Sequence, residues 1–102
     1  MPFVKVASLA QLPAGKVMEV TVNGNPYAVC NVSGNVTALD GVCPHRQGPL
    51  GQGEISGNNL VCPWHAWEWD CATGAYDFDP NRKVPMFAVH IESGDILIDV
   101  PA

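Results

Sequence analysis

Residues 62–70 read CPWHAWEWD, which gathers all three tryptophans of the chain into six positions and sets a cysteine and a histidine three residues apart. The alternation WEW suits a strand, in which Trp67 and Trp69 share one face and pack into a core. The preceding CPWH suits a loop, and cysteine with histidine is ligand chemistry. Earlier comes CPHRQGPL (43–50), a second cysteine, proline and histidine in close succession. Both stretches sit where a strand gives way to a loop. ISGNN (55–59) lies between them and folds the chain back on itself, which brings the two loops together.

Glycine turns punctuate the chain outward from there: VNGN (22–25), VSGN (32–35), ISGNN (55–59) and ESGD (92–95). Asn-Gly and Ser-Gly pairs supply the positive φ that tight hairpins need, and each turn is flanked by strand-forming residues. Strands are expected near 3–7, 17–22, 26–32, 35–39, 59–61, 67–70, 87–92 and 95–100. SLAQLPAG (8–15) suits one helical turn capped by Ser8. The predicted fold is all-β, a small antiparallel sandwich or barrel, and 102 residues fit one domain, 1–102, without a linker.

Composition narrows the function classes. A hydrophobic content of 47% against 15% charged residues argues for a packed domain over disorder. No apolar run of about 18 residues exists, so no membrane helix is expected. The first residues lack the basic-then-apolar pattern of a signal peptide, and a cytoplasmic protein with reduced thiols is expected. Four cysteines (Cys30, Cys43, Cys62, Cys71) therefore speak against a disulfide framework. The net charge is −5, and seven of the ten acidic residues lie at or after Glu68. Such a surface repels nucleic-acid phosphates and suits a basic protein partner.

Cys43-x-His45 and Cys62-x-x-His65, with sixteen residues between them, offer two thiolates and two imidazoles in a chain of three histidines. Spacing alone permits a tetrahedral zinc site or a [2Fe–2S] cluster with two cysteines on one iron and two histidines on the other. A zinc site of this kind usually substitutes for a core in a shorter peptide, whereas this chain is large enough for its own.

CPHRQGPL followed by CPWHAWEWDCATG resembles the paired cluster-binding loops of Rieske iron–sulfur proteins, and more narrowly those of the ferredoxins that serve aromatic-ring-hydroxylating dioxygenases. The match is densest from Gly41 to Gly74. The resemblance implies one [2Fe–2S] cluster, with Cys43 and Cys62 on the inner iron and His45 and His65 on the outer. It also implies a cluster-binding subdomain at about 41–74, inserted in the β structure, with the histidines at an exposed tip. Respiratory members of the family carry a disulfide between the loops; Gly48 and Trp64 stand at the corresponding positions here. The serine and tyrosine hydroxyls of those members are replaced by Trp67 and Trp69, whose indoles donate only through nitrogen. Fewer donors to the cluster stabilise its reduced form less, so a potential of roughly −150 mV is expected, near the low end of the Rieske range. Ala66 stands where many relatives have glycine. Trp64 and Leu50 are candidates for a water-excluding cover beside the histidines.

Two histidine ligands in place of two thiolates leave the oxidised cluster less negative, which favours reduction. Each imidazole keeps a proton on its remote nitrogen, and reduction raises its proton affinity, so the potential falls at high pH. Arg46 is read as a solvated residue or a docking contact, and PNRKVPMF (80–87) as a third loop near the cluster or a plain surface loop. His90 is unassigned, and Cys30 and Cys71 are read as free thiols without a role.

Neither GxGxxG nor a P-loop occurs, so no nucleotide motif accompanies the cluster. The expected function is that of a one-electron carrier without catalysis of its own, a monomer docking transiently with a flavin-dependent reductase and a terminal oxygenase. The alternatives are a Rieske-like small subunit of an assimilatory nitrite reductase and a zinc-stabilised interaction module. A fragment of a larger oxygenase is disfavoured by Met1 and the complete-looking β pattern.

Overall fold

Tight glycine turns set the framework of the computed structural model, which describes residues 3–42, 48–64, 67–77 and 79–100. Strands β1 (Phe3–Ser8), β2 (Lys16–Val22), β3 (Asn25–Val32) and β4 (Asn35–Asp40) come first. Next are β5 (Glu54–Ser56), β6 (Asn59–Val61), β7 (Glu68–Asp70), β8 (Ala75–Tyr76) and β9 (Asp79–Lys83). The chain ends with β10 (Met86–Phe87), β11 (Val89–Glu92) and β12 (Asp95–Asp99). The β2–β3, β3–β4 and β11–β12 turns each hold two positive-φ residues: Asn23 and Gly24, Ser33 and Gly34, Ser93 and Gly94. That is the backbone of a type I′ turn, whose twist matches that of the strands it joins.

Among the described residues, the strands form three antiparallel sheets, in the orders β1-β12-β11, β10-β4-β3-β2 and β5-β6-β7-β8-β9. The four-stranded sheet is the middle layer. Strand β3 shows why: residues 27–31 (YAVCN) are buried without interruption, as expected of a strand covered on both faces. Ala28 and Cys30 join a core cluster with Leu39, Leu50, Leu60, Cys62, Trp69, Cys71 and Val84, under the five-stranded sheet. Their neighbours Tyr27 and Val29 join Val20, Ala38, Ile96 and Ile98, under the three-stranded sheet. A one-residue slip in β3 would exchange the two sets, so register and core specify each other.

The all-β expectation holds, and the differences lie in short elements. Strands β5, β8 and β9 lack the hydrophobic alternation that marks a strand in sequence; their ladder partners hold them. Residues 79–83 form edge strand β9 where a loop was expected, and an edge is where a sheet accepts Pro80. The strand expected over 87–92 breaks at Ala88. Phe87 pairs with Ala38 in the middle sheet and meets Tyr27 edge-on at 5.0 Å, whereas Val89 pairs with Ile98 in the outer one. The expected helical turn is a 3-10 turn, Leu9–Gln11. Ser8 is its N-cap, as expected, in a capping box in which the Ser8 N–H donates to Gln11 Oε1 at 3.0 Å.

The five-stranded sheet interrupts the middle sheet in sequence. The chain leaves at the end of β4 and returns in β10, which pairs with β4 again (Met86 with Leu39). Both cysteine–histidine segments, 43–45 and 62–65, fall inside that excursion in sequence.

Candidate metal centre

Each loop is pinched at its neck by backbone hydrogen bonds. In the first, Val42 bridges Pro49, and the Leu50 N–H donates to the Gly41 carbonyl at 2.9 Å. The stem is tied to its surroundings: the Gly41 N–H donates to Pro26 O at 3.0 Å, and the Asp40 N–H to Pro85 O at 2.9 Å. Asp40 also accepts the Val42 N–H on Oδ1 at 3.1 Å. The second loop closes where the Cys62 N–H donates to Trp67 O at 2.7 Å. Of the four expected ligands, Cys62 is described; Cys43, His45 and His65 lie outside the described residues, as do Arg46 and Ala66.

The loops meet at Gly48. A Cβ at that position would lie 2.8 Å from Cys62 Sγ and 3.1 Å from Trp64 Cβ, so only glycine lets the first loop approach this closely. The two positions that carry a disulfide in respiratory relatives are thus neighbours here, filled by a missing side chain and a large indole. Trp64 is half exposed, at 50%. Leu50 behaves differently from the expected cover. Its side chain is fully buried within the core, so of the two cover candidates Trp64 is the exposed one.

Behind Cys62 stands an aromatic wall. Trp69 is fully buried, and Trp67 stacks on Tyr76 with centroids 4.2 Å apart and planes 11° off parallel. Tyr76, which the sequence reading passed over, is the cross-strand partner of Trp69 and completes the trio. Its signal was a strand-forming aromatic two residues after the Gly74 turn. Core packing is therefore the first role of both tryptophans. The buried Trp69 Nε1 finds no hydrogen-bond partner among the described residues. Of residues 80–87, Pro85 reaches the stem of the first loop through its carbonyl, and buried Val84 is tied to Gly74 by a 2.9 Å N–H···O bond. His90 lies on β11, in the sheet on the other side of the middle layer.

Cys30 and Cys71 are free thiols, as expected, and both are buried in the core cluster under the five-stranded sheet. The Cys71 side chain, with burial adding to the effect, raises the Cys30 pKa strongly, and the Cys30 side chain lowers that of Cys71.

The described residues fit an iron–sulfur centre. Cys62 presents a buried sulfur toward the facing loop, and the side-chain space next to it is kept clear by Gly48. Thiolate and imidazole are the donor set of a Rieske centre.

The chain belongs to the Rieske [2Fe–2S] domain family, whose profile matches residues 2–88. It carries one Rieske cluster and is an electron-transfer ferredoxin of the kind found in aromatic-ring dioxygenase systems. Over 97 residues it is 30% identical to the ferredoxin component of the naphthalene 1,2-dioxygenase/salicylate 5-hydroxylase systems of Ralstonia sp, covering 94% of this chain and 93% of that protein. The Sphingomonas yanoikuyae B1 ferredoxin superposes with a TM-score of 0.87 at 30% identity, over 98% of this chain and all of the other. A ferredoxin solved as a complex of reduced oxygenase and oxidised ferredoxin in carbazole 1,9a-dioxygenase shares the fold. Its TM-score is 0.85 at 23% identity, over 94% of this chain and 91% of that one. No helix among the described residues is long and apolar enough to cross a membrane.

Proposed function

We propose that this chain carries single electrons from a flavin-dependent reductase to a terminal, aromatic-ring-hydroxylating oxygenase, docking briefly with each. The contact of Gly48 with Cys62 and Trp64 carries this reading, because it brings the two ligand loops together under an exposed indole. Cys43 and Cys62 would hold the inner iron, and His45 and His65 the outer one. The bound cluster takes up and releases one electron at a time. Cys62 would hold iron through a buried sulfur, while the half-exposed Trp64 offers an apolar surface to a partner. His45 and His65 each keep a proton on the nitrogen remote from iron, which links reduction to pH.

The whole chain acts as one domain, 1–102, with the cluster-binding subdomain at about 41–74, as a cytoplasmic monomer. The docking area falls below about 1,200 Å², as in other redox encounters. The acidic surface steers basic partners, so added salt slows transfer.

The test is reconstitution: ferredoxin reductase, this protein and a naphthalene-type oxygenase, with product formation and NADH oxidation followed together. Product that depends on this protein and falls with salt is expected. Turnover equal to that without it would overturn the carrier role. For the ligands, dithionite-reduced protein should give the EPR spectrum of a cluster with mixed nitrogen and sulfur ligation. Nitrogen hyperfine couplings should fall by half on substituting either histidine with cysteine.

A further inference from the structure

We infer that the indole N–H of Trp69 is a hydrogen-bond donor to a sulfur of the bound cluster and holds the reduction potential up. Trp69 is 1% exposed, and its Nε1 has no hydrogen-bond partner among the described residues. A buried donor without an acceptor loses its water and gains nothing in return. Folded proteins therefore pair such groups with protein, water or a bound group. The other buried side-chain atoms without a partner, Thr37 Oγ1 and Asp99 Oδ1, lie in the middle and three-stranded sheets. Among the described residues, Trp69 Nε1 is thus the orphan of the cluster-bearing sheet.

The strand register sets this indole beside a proposed ligand. Trp69 pairs with Leu60 across the β6–β7 ladder. The ladder continues to Cys62, whose N–H donates to Trp67 O at 2.7 Å. Side chains two positions apart on a strand share a face, so Cys62 stands diagonally opposite Trp69, within reach of an aromatic side chain. Both belong to one buried core group. The ring is held in place by its neighbours, with centroids 5.1 Å from Tyr76 and 6.1 Å from Trp67.

Sulfur is the side-chain acceptor that this neighbourhood offers. The buried residues of the core group are aliphatic or aromatic apart from Cys30, Cys62 and Cys71. A bridging water needs several polar partners, and those side chains supply none beyond thiols. A neutral thiol accepts weakly, whereas the thiolates and sulfides of an iron–sulfur centre carry charge and accept strongly. Of the three cysteines, Cys62 is the one in a ligand loop, and the inference rests on the reading that it holds iron. Reduction adds negative charge to the sulfurs. An N–H directed at them therefore stabilises the reduced form more than the oxidised one and raises the potential. The weakly hydrogen-bonded centre expected from the sequence gains one donor, and its potential lies above the low end of the Rieske range.

The experiment compares the wild-type holoprotein with two variants. Trp69→Phe keeps an aromatic ring and loses the N–H; Leu60→Val trims the residue opposite Trp69 and touches no donor. Potentials are read by film voltammetry from neutral to alkaline pH. Trp69→Phe should shift the reduction equilibrium about tenfold toward the oxidised form, or about 59 mV for a one-electron couple. The shift should be the same at every pH, because an indole N–H only donates and does not titrate in this range. Leu60→Val should leave the potential unchanged. An unaltered potential in Trp69→Phe with the cluster intact, or an equal fall in Leu60→Val, overturns the inference. In wild-type protein with nitrogen-15 placed only in its indoles, pulsed EPR of the reduced cluster should show a nitrogen-15 coupling. Absence of that coupling also overturns it, even where a variant fails to fold. Wild-type protein without the spectrum of a nitrogen-ligated cluster would instead remove the proposed ligand set, and this inference with it.

Discussion

The middle sheet has two faces, and they are packed by different rules. On the side of the three-stranded sheet, Val20, Tyr27, Val29 and Ala38 pack with Ala7, Ile96 and Ile98. On the side of the five-stranded sheet, Ala28, Cys30 and Leu39 pack with Leu50, Leu60, Val84, Cys62, Trp69 and Cys71, so that thiols and an indole are mixed into an aliphatic core. The first side can exchange one aliphatic residue for another of similar size at modest cost. On the second, the aliphatic residues tolerate the same exchange, whereas replacing Cys62, Cys71 or Trp69 at equal volume removes a thiol or an indole. Scaffold and function thus share a sheet and divide its faces.

The largest effect should follow Cys62→Ser, which leaves the outer packing intact and removes the thiolate proposed to hold iron. Iron content and the visible absorbance should collapse, and the cluster-bearing sheet should lose protection in hydrogen exchange before the other two. Uniform loss of protection would erase the distinction between the faces. Next, Ile98→Ala on the scaffold side should cost about 2–5 kcal/mol in urea unfolding while the EPR spectrum of the folded fraction stays as in the wild type. Gly48→Val should be smaller in energy, about 1–3 kcal/mol, because the added atoms press on Cys62 Sγ and Trp64. Its signature is different: altered EPR g-values, which the Ile98 variant must not show.

Trp64→Ala should change stability by no more than about 0.5 kcal/mol, since half of the residue is already in water. It should slow electron transfer to the oxygenase, read by stopped-flow reoxidation. The smallest effect belongs to Lys5→Ala. Lys5 Nζ meets Asp95 Oδ1 at 3.4 Å on an exposed edge of the three-stranded sheet, and such pairs contribute between about 0 and 1 kcal/mol.

Much of this plan was legible in the chain. Asn23-Gly24, Ser33-Gly34 and Ser93-Gly94 announce hairpins because few other residues tolerate consecutive left-handed backbone. The cysteine–histidine segments at 43–45 and 62–65 stand out as candidate ligand loops because ligand spacing is a local property, and of the four residues Cys62 is described. What escaped was non-local. Residues 79–83 carry no alternation, and only pairing with β8 makes them a strand. Leu50 reads as a loop residue but is drawn into the core by the 3-10 turn that follows Pro49.

The three indoles now have distinct optical environments. Trp69 is sealed, Trp67 is stacked on Tyr76, and Trp64 stands half in solvent. An aqueous quencher such as iodide or acrylamide should therefore extinguish the emission of Trp64 selectively. Shielding of that fraction on titration with the oxygenase would make the native chain its own fluorescent gauge of docking, without a label.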